Sequence, residues 1–371
     1  MIAIVAAAAV RVRVPLRRPL VTSRGAWVAA DSWLVQLQTA DGRTGVGEAT
    51  LGPGADPTDQ ADLDARVRTL VDEPGAAPAA WDSAVTEPPT PEPSAADLAL
   101  RAALAGAWLD LGAGAHGPRA SSVAVNALIG AETLHASVAA ARDAVAAGFT
   151  TLKLKGGGEA STAELVERLM AVRAAVGAAV GLRLDVNGAW SSAVAAERLA
   201  ALRPVGLELV EQPVAAGPGA SIVLARLRSA SGAALAADES VTSARAAAEL
   251  LEAGAVDVLV VKPARVGGPA AALAIAASAG AVGAGVVIST LLETGVGLRT
   301  ALVTAALLPA GGLDRAHGLA TGPLLATDLV QGGGVTVAAG RAACPAGPGL
   351  ALTLDAAAIE RSAIERLGAW A

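Results

Sequence analysis

Cysteine and phenylalanine occur once each in this chain of 371 residues, tyrosine not at all, and histidine three times. Cys344 therefore has no intrachain partner for a disulfide, and no Cys/His cluster exists that would make a tetrahedral zinc site. Any metal is left to oxygen ligands. Charge is also scarce: 17% of residues are charged, the net charge is −6, and the 28 Lys and Arg are dispersed, so nothing forms a basic footprint for nucleic acid. Long hydrophobic runs are missing too. Ala270–Ser289 is uncharged but interrupted by glycine and serine, and it reads as a buried helix running into a buried strand. Met1–Val10 is apolar without a basic region ahead of it or a small-residue cleavage pattern after it. These exclusions predict a cytoplasmic protein with no membrane partner.

What the chain does have is 53% hydrophobic residues, dominated by alanine and accompanied by 42 glycines, the composition of a compact protein built from small side chains. Its length suits a large domain with a smaller one. Val10–Val14 and Ser32–Gln38 read as strands, and Asp41-Gly42 is a hairpin turn leading into a strand at Thr44–Glu48. Helical patterns follow at Asp59–Val71 and Ala95–Leu111. We read residues 1–122 as an α+β domain.

From Val123 the pattern changes to apolar strands alternating with alanine-rich helices. Strands are predicted at Val123–Ala127, Thr151–Lys155, Gly181–Asp185, Leu207–Val210, Leu235–Ala237, Val256–Val261 and Gly285–Ser289, with Ala316–Leu319 as an eighth. Lys155, Asp185, Glu211, Asp238, Lys262 and Ser289, at or just past the strand ends, are spaced 30, 26, 27, 24 and 27 residues apart. Repeated βα units of this kind make a parallel sheet, open or closed, and the count of eight favours a (β/α) barrel over 123–325. The segment 326–371 returns to glycine-rich, β-like sequence and is expected to rejoin the first domain.

Residues at the C-terminal ends of barrel strands share one mouth. In Thr151–Lys155, Lys153 and Lys155 fall on one side and Leu152 and Leu154 on the other. Two lysines held together in the lumen repel, which is expected to lower at least one pKa toward that of a general base; the alternative is a solvated edge strand. Asp185, Glu211 and Asp238 follow on the next three strands. Singly each reads as a helix cap, but together they offer three oxygen ligands that suit Mg²⁺. Lys262 ends a run of four apolar residues, where an ammonium needs a partner or a role.

Lys153-Leu154-Lys155, Asp185-Val186-Asn187-Gly188, Glu211-Gln212-Pro213, Ala237-Asp238-Glu239-Ser240, Lys262-Pro263-Ala264-Arg265 and Gly45-Val46-Gly47-Glu48 together resemble the muconate-lactonizing subgroup of the enolase superfamily, over essentially the whole chain. The resemblance implies a modified (β/α) barrel with an α+β capping domain built from both terminal segments. It further implies Mg²⁺, with Mn²⁺ as a substitute, held by Asp185, Glu211 and Asp238. Lys155 and Lys262 become an acid/base pair that makes an enediolate from a small carboxylate substrate, with Lys153 keeping Lys155 neutral. A homo-oligomer is compatible with it.

The eighth-strand sequence His317-Gly318-Leu319 has no Asp-x-Asp pair of the kind dipeptide epimerases use. That sequence, Ser289–Gly297, and the N-terminal Pro15–Leu20 with Ser23-Arg24-Gly25 look most like o-succinylbenzoate synthases, lyases of menaquinone biosynthesis. N-succinylamino acid racemases and muconate cycloisomerases are the competing expectations, and a non-catalytic protein of the same fold a distant one. Arg24, Asn187, Ser289, Thr290 and Glu293 are the candidate substrate contacts. His116 and His135 are read as surface or packing residues.

Overall fold

A computed structural model describes residues 3–370 apart from 23–24, 75–91, 113–117, 131–132, 232–233, 310–314 and 348. The first domain opens with a long antiparallel hairpin, β1 (Ile4–Thr22) and β2 (Gly25–Thr39), to which β3 (Thr44–Ala49) adds after the turn at Asp41-Gly42. Helices α1 (Pro57–Asp72) and α2 (Ala95–Asp110) cover one face. Ser94 and Asp97 cap α2 reciprocally, satisfying two of its free amides. β3 lies almost on the backbone of α2: a Cβ at Gly47 would stand 1.8 Å from the Ala103 carbonyl oxygen, so no other residue fits there.

The predicted first barrel strand breaks in two at Val125-Asn126. β4 (Ser122–Ala124) turns away to pair with a later strand, and the parallel sheet begins at β5 (Ala127–Ile129). It continues through α3 (Leu134–Ala146), β6 (Thr151–Lys155), α4 (Thr162–Val176), β7 (Gly181–Asp185), α5 (Ser192–Ala201), β8 (Leu209–Glu211), α6 (Ala220–Ser231) and β9 (Leu235–Ala237). Then come α7 (Ala244–Glu252), β10 (Val258–Val261), the short α8 (Pro263–Val266), α9 (Pro269–Ala281), β11 (Gly285–Ile288) and α10 (Gly295–Ala306). The strands β5 to β11 lie in sequence order. Ser or Thr side chains cap α3, α4, α5, α7 and α10, a local signal that starts each helix on schedule. No helix among the described residues is long and apolar enough to cross a membrane.

The predicted eighth strand is a pair of bridges and no full ladder. His317 pairs with Val125 and Gly318 with Ser289, so the segment still spans the gap between the two sheet edges. A side chain completes the seam: the Ile288 N–H donates to His317 Nδ1 at 3.0 Å. Beyond it, β12 (Val337–Ala338) and β13 (Arg341–Ala343) join β4, while α11 (Ala356–Ser362) leads into β14 (Ala363–Leu367), which pairs with β1. The C-terminal segment is thus shared between the barrel's first strand and the N-terminal sheet.

Alternation sorts the barrel's side chains. Val210, Leu235, Ala237, Leu259, Val261 and Ile288 join the large core under the helices, whereas Leu209, Ala236, Val258, Val260 and Val287 form a separate cluster filling the lumen. Lower in the lumen, Arg183 donates to both carboxylate oxygens of Glu208 and to the Ala316 carbonyl.

His317 must be neutral to accept the Ile288 amide, and burial, helped by the nearby Arg183 charge, lowers its pKa to about 3. In the unfolded chain it titrates near its ordinary value of 6.5. Between these values the unfolded state binds the extra proton, so this contribution to stability falls as pH drops through that window. His317→Asn, which retains an acceptor but does not titrate, is expected to lose that part of the slope in denaturant unfolding followed by circular dichroism at stepped pH.

Candidate active site

The inward parity that fills the lumen carries on past the strand ends. Lys155 follows Lys153, Asp185 follows Arg183, Glu211 follows Leu209, Asp238 follows Ala236, Lys262 follows Val260 and Ser289 follows Val287. Alternation therefore turns all six toward the mouth. Lys155 is the partner of Asp185 in the ladder and Asp185 that of Glu211. β6 and β10 are four positions apart in an eight-position ring, which puts Lys155 and Lys262 on opposite walls.

The carboxylates are buried and each meets an amine. Lys153 Nζ donates to Glu211 Oε1 at 2.7 Å and lies 2.9 Å from Asp185 Oδ2. Lys155 Nζ donates to Asp185 Oδ2 at 2.7 Å and to Asn187 Oδ1 at 2.8 Å. Lys262 Nζ donates to Asp238 Oδ2 at 2.7 Å, and Arg265 donates to Asp238 Oδ1 at 2.9 Å. No three acidic, His or Cys side chains among the described residues converge as a ready metal cluster.

Lys153, the lysine expected to keep Lys155 neutral, sits among all three acids. Burial disfavours its charge, but Asp185, Glu211 and Asp238 outweigh that, and its pKa is raised above the ordinary value. Asp185 is also penalised by burial, yet the Lys153 and Lys155 charges bring it down to about 2. Lys153 divides its charge between two acids, so burial and the Asp185 charge push Glu211 up to about 7. Asp238, with Lys262 and Arg265 overcoming its burial, lies well below the usual carboxylate range.

Two loop residues take left-handed backbone to serve the site. Asn187, with φ 51°, donates its N–H to Asp185 Oδ1 and its amide to Glu239 Oε1. Gln212, with φ 40°, accepts the Asp238 and Ser240 amides on Oε1 and so fixes the loop after β9. The resulting cavity, about 170 Å³, is lined by Lys153, Lys155, Asp185, Asn187, Asp238, Lys262, Ser289 and Thr290. Leu20 and Trp27 of the β1–β2 hairpin reach it from the first domain.

Of the candidate contacts, Asn187, Ser289 and Thr290 line this cavity and Glu293 does not; Glu293 is buried behind it, accepting the Leu291 amide. Arg24 and His116 lie outside the described residues, and His135 is exposed on α3. Asn126, Glu239 and Arg265 also line the cavity, unassigned by sequence reasoning. Glu239 and Arg265 stand within motifs that the sequence displays, one and three residues past Asp238 and Lys262, but a strand-end rule does not reach them.

The model of the mandelate racemase / muconate lactonizing enzyme N-terminal domain matches residues 4–117, and that of the enolase C-terminal domain-like family matches 136–358. The chain belongs to this family, within the enolase superfamily. Among relatives, the o-succinylbenzoate synthase of Thermobifida fusca is 40% identical over 191 residues, 51% of this chain and 57% of that one; the chain thus spans little more than half of that relative's length. The structure of muconate lactonizing enzyme from Pseudomonas fluorescens complexed with muconolactone superposes with a TM-score of 0.83 at 24% identity, covering 98% of this chain and 99% of that chain. A dipeptide epimerase from Enterococcus faecalis, complexed with Mg and the dipeptide L-Leu-L-Tyr, gives 0.80 at 27% identity over 95% of this chain and 99% of that one.

Removing the shared cation leaves two buried acids under-compensated. Lys153→Met is expected to lose about 3–5 kcal/mol of stability at pH 7.5 in chelator, measured by urea unfolding, and to regain part of it on acidification as the carboxyls protonate.

Proposed function

We propose that the chain is an o-succinylbenzoate synthase, a metal-dependent lyase that removes water from a succinyl-hydroxycyclohexadiene carboxylate to leave an aromatic ring. The observation that carries the reaction type is the placement of Lys155 and Lys262 on opposite walls of one cavity, with three carboxylates on the strands between them. The similarity to o-succinylbenzoate synthases favours this member of the family's reactions.

Asp185, Glu211 and Asp238 present only oxygen donors on consecutive strands, and Glu239 adds a buried Oε2 without a hydrogen-bond partner among the described residues. This donor chemistry fits a hard divalent cation, Mg²⁺ or Mn²⁺. When bound, such a cation neutralises the substrate carboxylate and so makes the adjacent C–H acidic. Lys155 in its neutral form, oriented by Asp185 and Asn187, takes that proton and becomes the ammonium. Lys262 faces the developing negative charge from the other side. Loss of hydroxide from the face of Lys155 lets the same amine return its proton to the leaving group, which departs as water while the ring double bond forms.

Racemisation of N-succinylamino acids is the second reading. It is favoured by the symmetry of the lysines, each 2.7 Å from a carboxylate oxygen, Asp185 for one and Asp238 for the other, so that either amine is placed to take or return a proton.

The purified protein with Mg²⁺ is expected to convert the cyclohexadiene precursor to an aromatic product, read as growth of ultraviolet absorbance. Absence of that turnover alongside rapid deuterium exchange at the α-carbon of N-succinylamino acids would establish the racemase instead. Lys155→Ala is expected to lower kcat by about 10²–10⁴-fold. Asp185→Asn should lose metal-dependent turnover with its circular dichroism unchanged.

A further inference from the structure

Thr290, Leu291 and Leu292 form one wall of the cavity. Leu292 holds φ at 75°, a backbone shape that L side chains rarely adopt, and it also belongs to the apolar core under the β1–β2 sheet. Such a shape persists only where its surroundings over-determine it. Two buried carboxyls do so here. Glu293 Oε2 accepts the Leu291 amide at 2.5 Å. Glu48, at the end of β3, accepts the Thr294 amide at 2.9 Å, the Thr294 hydroxyl at 2.7 Å and the Gly297 amide at 2.9 Å. A Cβ at Gly297 would stand 2.7 Å from Glu293 Cβ and Cγ and 3.1 Å from Glu48 Oε2, so the two side chains flank that glycine.

We propose that Glu48 and Glu293 are a positioning pair, which fastens the Thr290–Leu292 wall to the capping sheet and thereby sets how tightly substrate is held. This rests on the cavity being the substrate site of the proposed reaction. Burial pushes the Glu48 carboxyl above its ordinary range, opposed by its donors from Thr294 and Gly297. Glu293 accepts from its own amide and that of Leu291 and faces Glu48; burial first, and then Glu48, push it up to about 7, with those amides and Lys262 opposing. Asp328, bound to the Gly295 amide at 2.9 Å, is a further charged group at this helix end. Below about 7 Glu293 is neutral and the wall is locked. Above it, Glu293 gains a charge beside Glu48, the wall loosens and KM rises with pH.

Two measurements on the full-length protein test this. Carboxyl ¹³C NMR of glutamate-labelled protein, without substrate, is expected to show the Glu293 midpoint shifted down by about one unit or more in Glu48→Gln. Steady-state kinetics of Glu293→Gln is expected to show KM raised several-fold, on the order of tenfold in kcat/KM, and the rise of KM through neutral pH abolished. Should Glu48→Gln fail to fold, Gly297→Ala, which drives a methyl group between the carboxyls, is expected to raise KM similarly. A Glu293 midpoint unmoved by Glu48→Gln, or a wild-type KM profile retained in Glu293→Gln, would overturn the pair. Wild-type protein inactive on every substrate tried, with the NMR shift present, would overturn the proposed reaction and leave the pairing of the carboxyls standing.

Discussion

Burying the carboxylates of Asp185, Glu211 and Asp238 at the barrel mouth costs several kcal/mol per ion unless opposite charge is supplied at hydrogen-bonding distance. Lys153, Lys155, Lys262 and Arg265 supply it. The rest of the molecule is arranged so that this exchange of charge takes place out of water. The strands bring the groups to one level, the loops after β7 and β8 adopt left-handed backbone to hold them, and the β1–β2 hairpin closes over the top. In the proposed reaction the same balance would serve chemistry, because a region where acids and amines neutralise one another can take in a carboxylate substrate and a cation together without a large change in net charge.

The scaffold holding that balance is tightened at points where ordinary strand pairing stops. His317 accepts an amide at the seam where the eighth position has no full ladder, and Glu48 and Asp328, which come from segments far apart in sequence, converge on the first turn of α10. An anion at a helix N-terminus satisfies amides that have no partner within the helix. These contacts tie the capping sheet and the C-terminal segment to the barrel, and they do so beside the cavity wall, where a small shift alters the pocket.

The strand-end residues Lys155, Asp185, Glu211, Asp238 and Lys262 were legible because two local rules coincide on them: a repeat of about 27 residues and a side-chain period of two. Arg265 and Glu239 were not, although both stand in conspicuous motifs, because Glu239 lies in the turn after β9 and Arg265 in the short α8, beyond the strands, where neither period applies. The resemblance pointed to the hairpin around Arg24 as part of the site, but no local pattern singled out Leu20 or Trp27 as the residues of it that line the cavity. The break of the first barrel strand at Asn126 escaped for a similar reason, since β4 is drawn off by β13, more than 200 residues later. The expectation that at least one of the paired lysines is lowered weighed the two lysines alone; the three acids from adjacent strands, which raise Lys153, come together only in the fold.

Sequence alone thus determined the kind of fold, the order amine, acid, acid, acid, amine, and the face on which those groups lie, because strand periodicity and βα repetition are short-range properties. Only the tertiary structure decided which acid meets which amine, how the barrel is closed, and what roofs the cavity. Those outcomes depend on distances between segments far apart in the chain, and on charges summed over several strands at once, for which no single stretch of sequence holds the information.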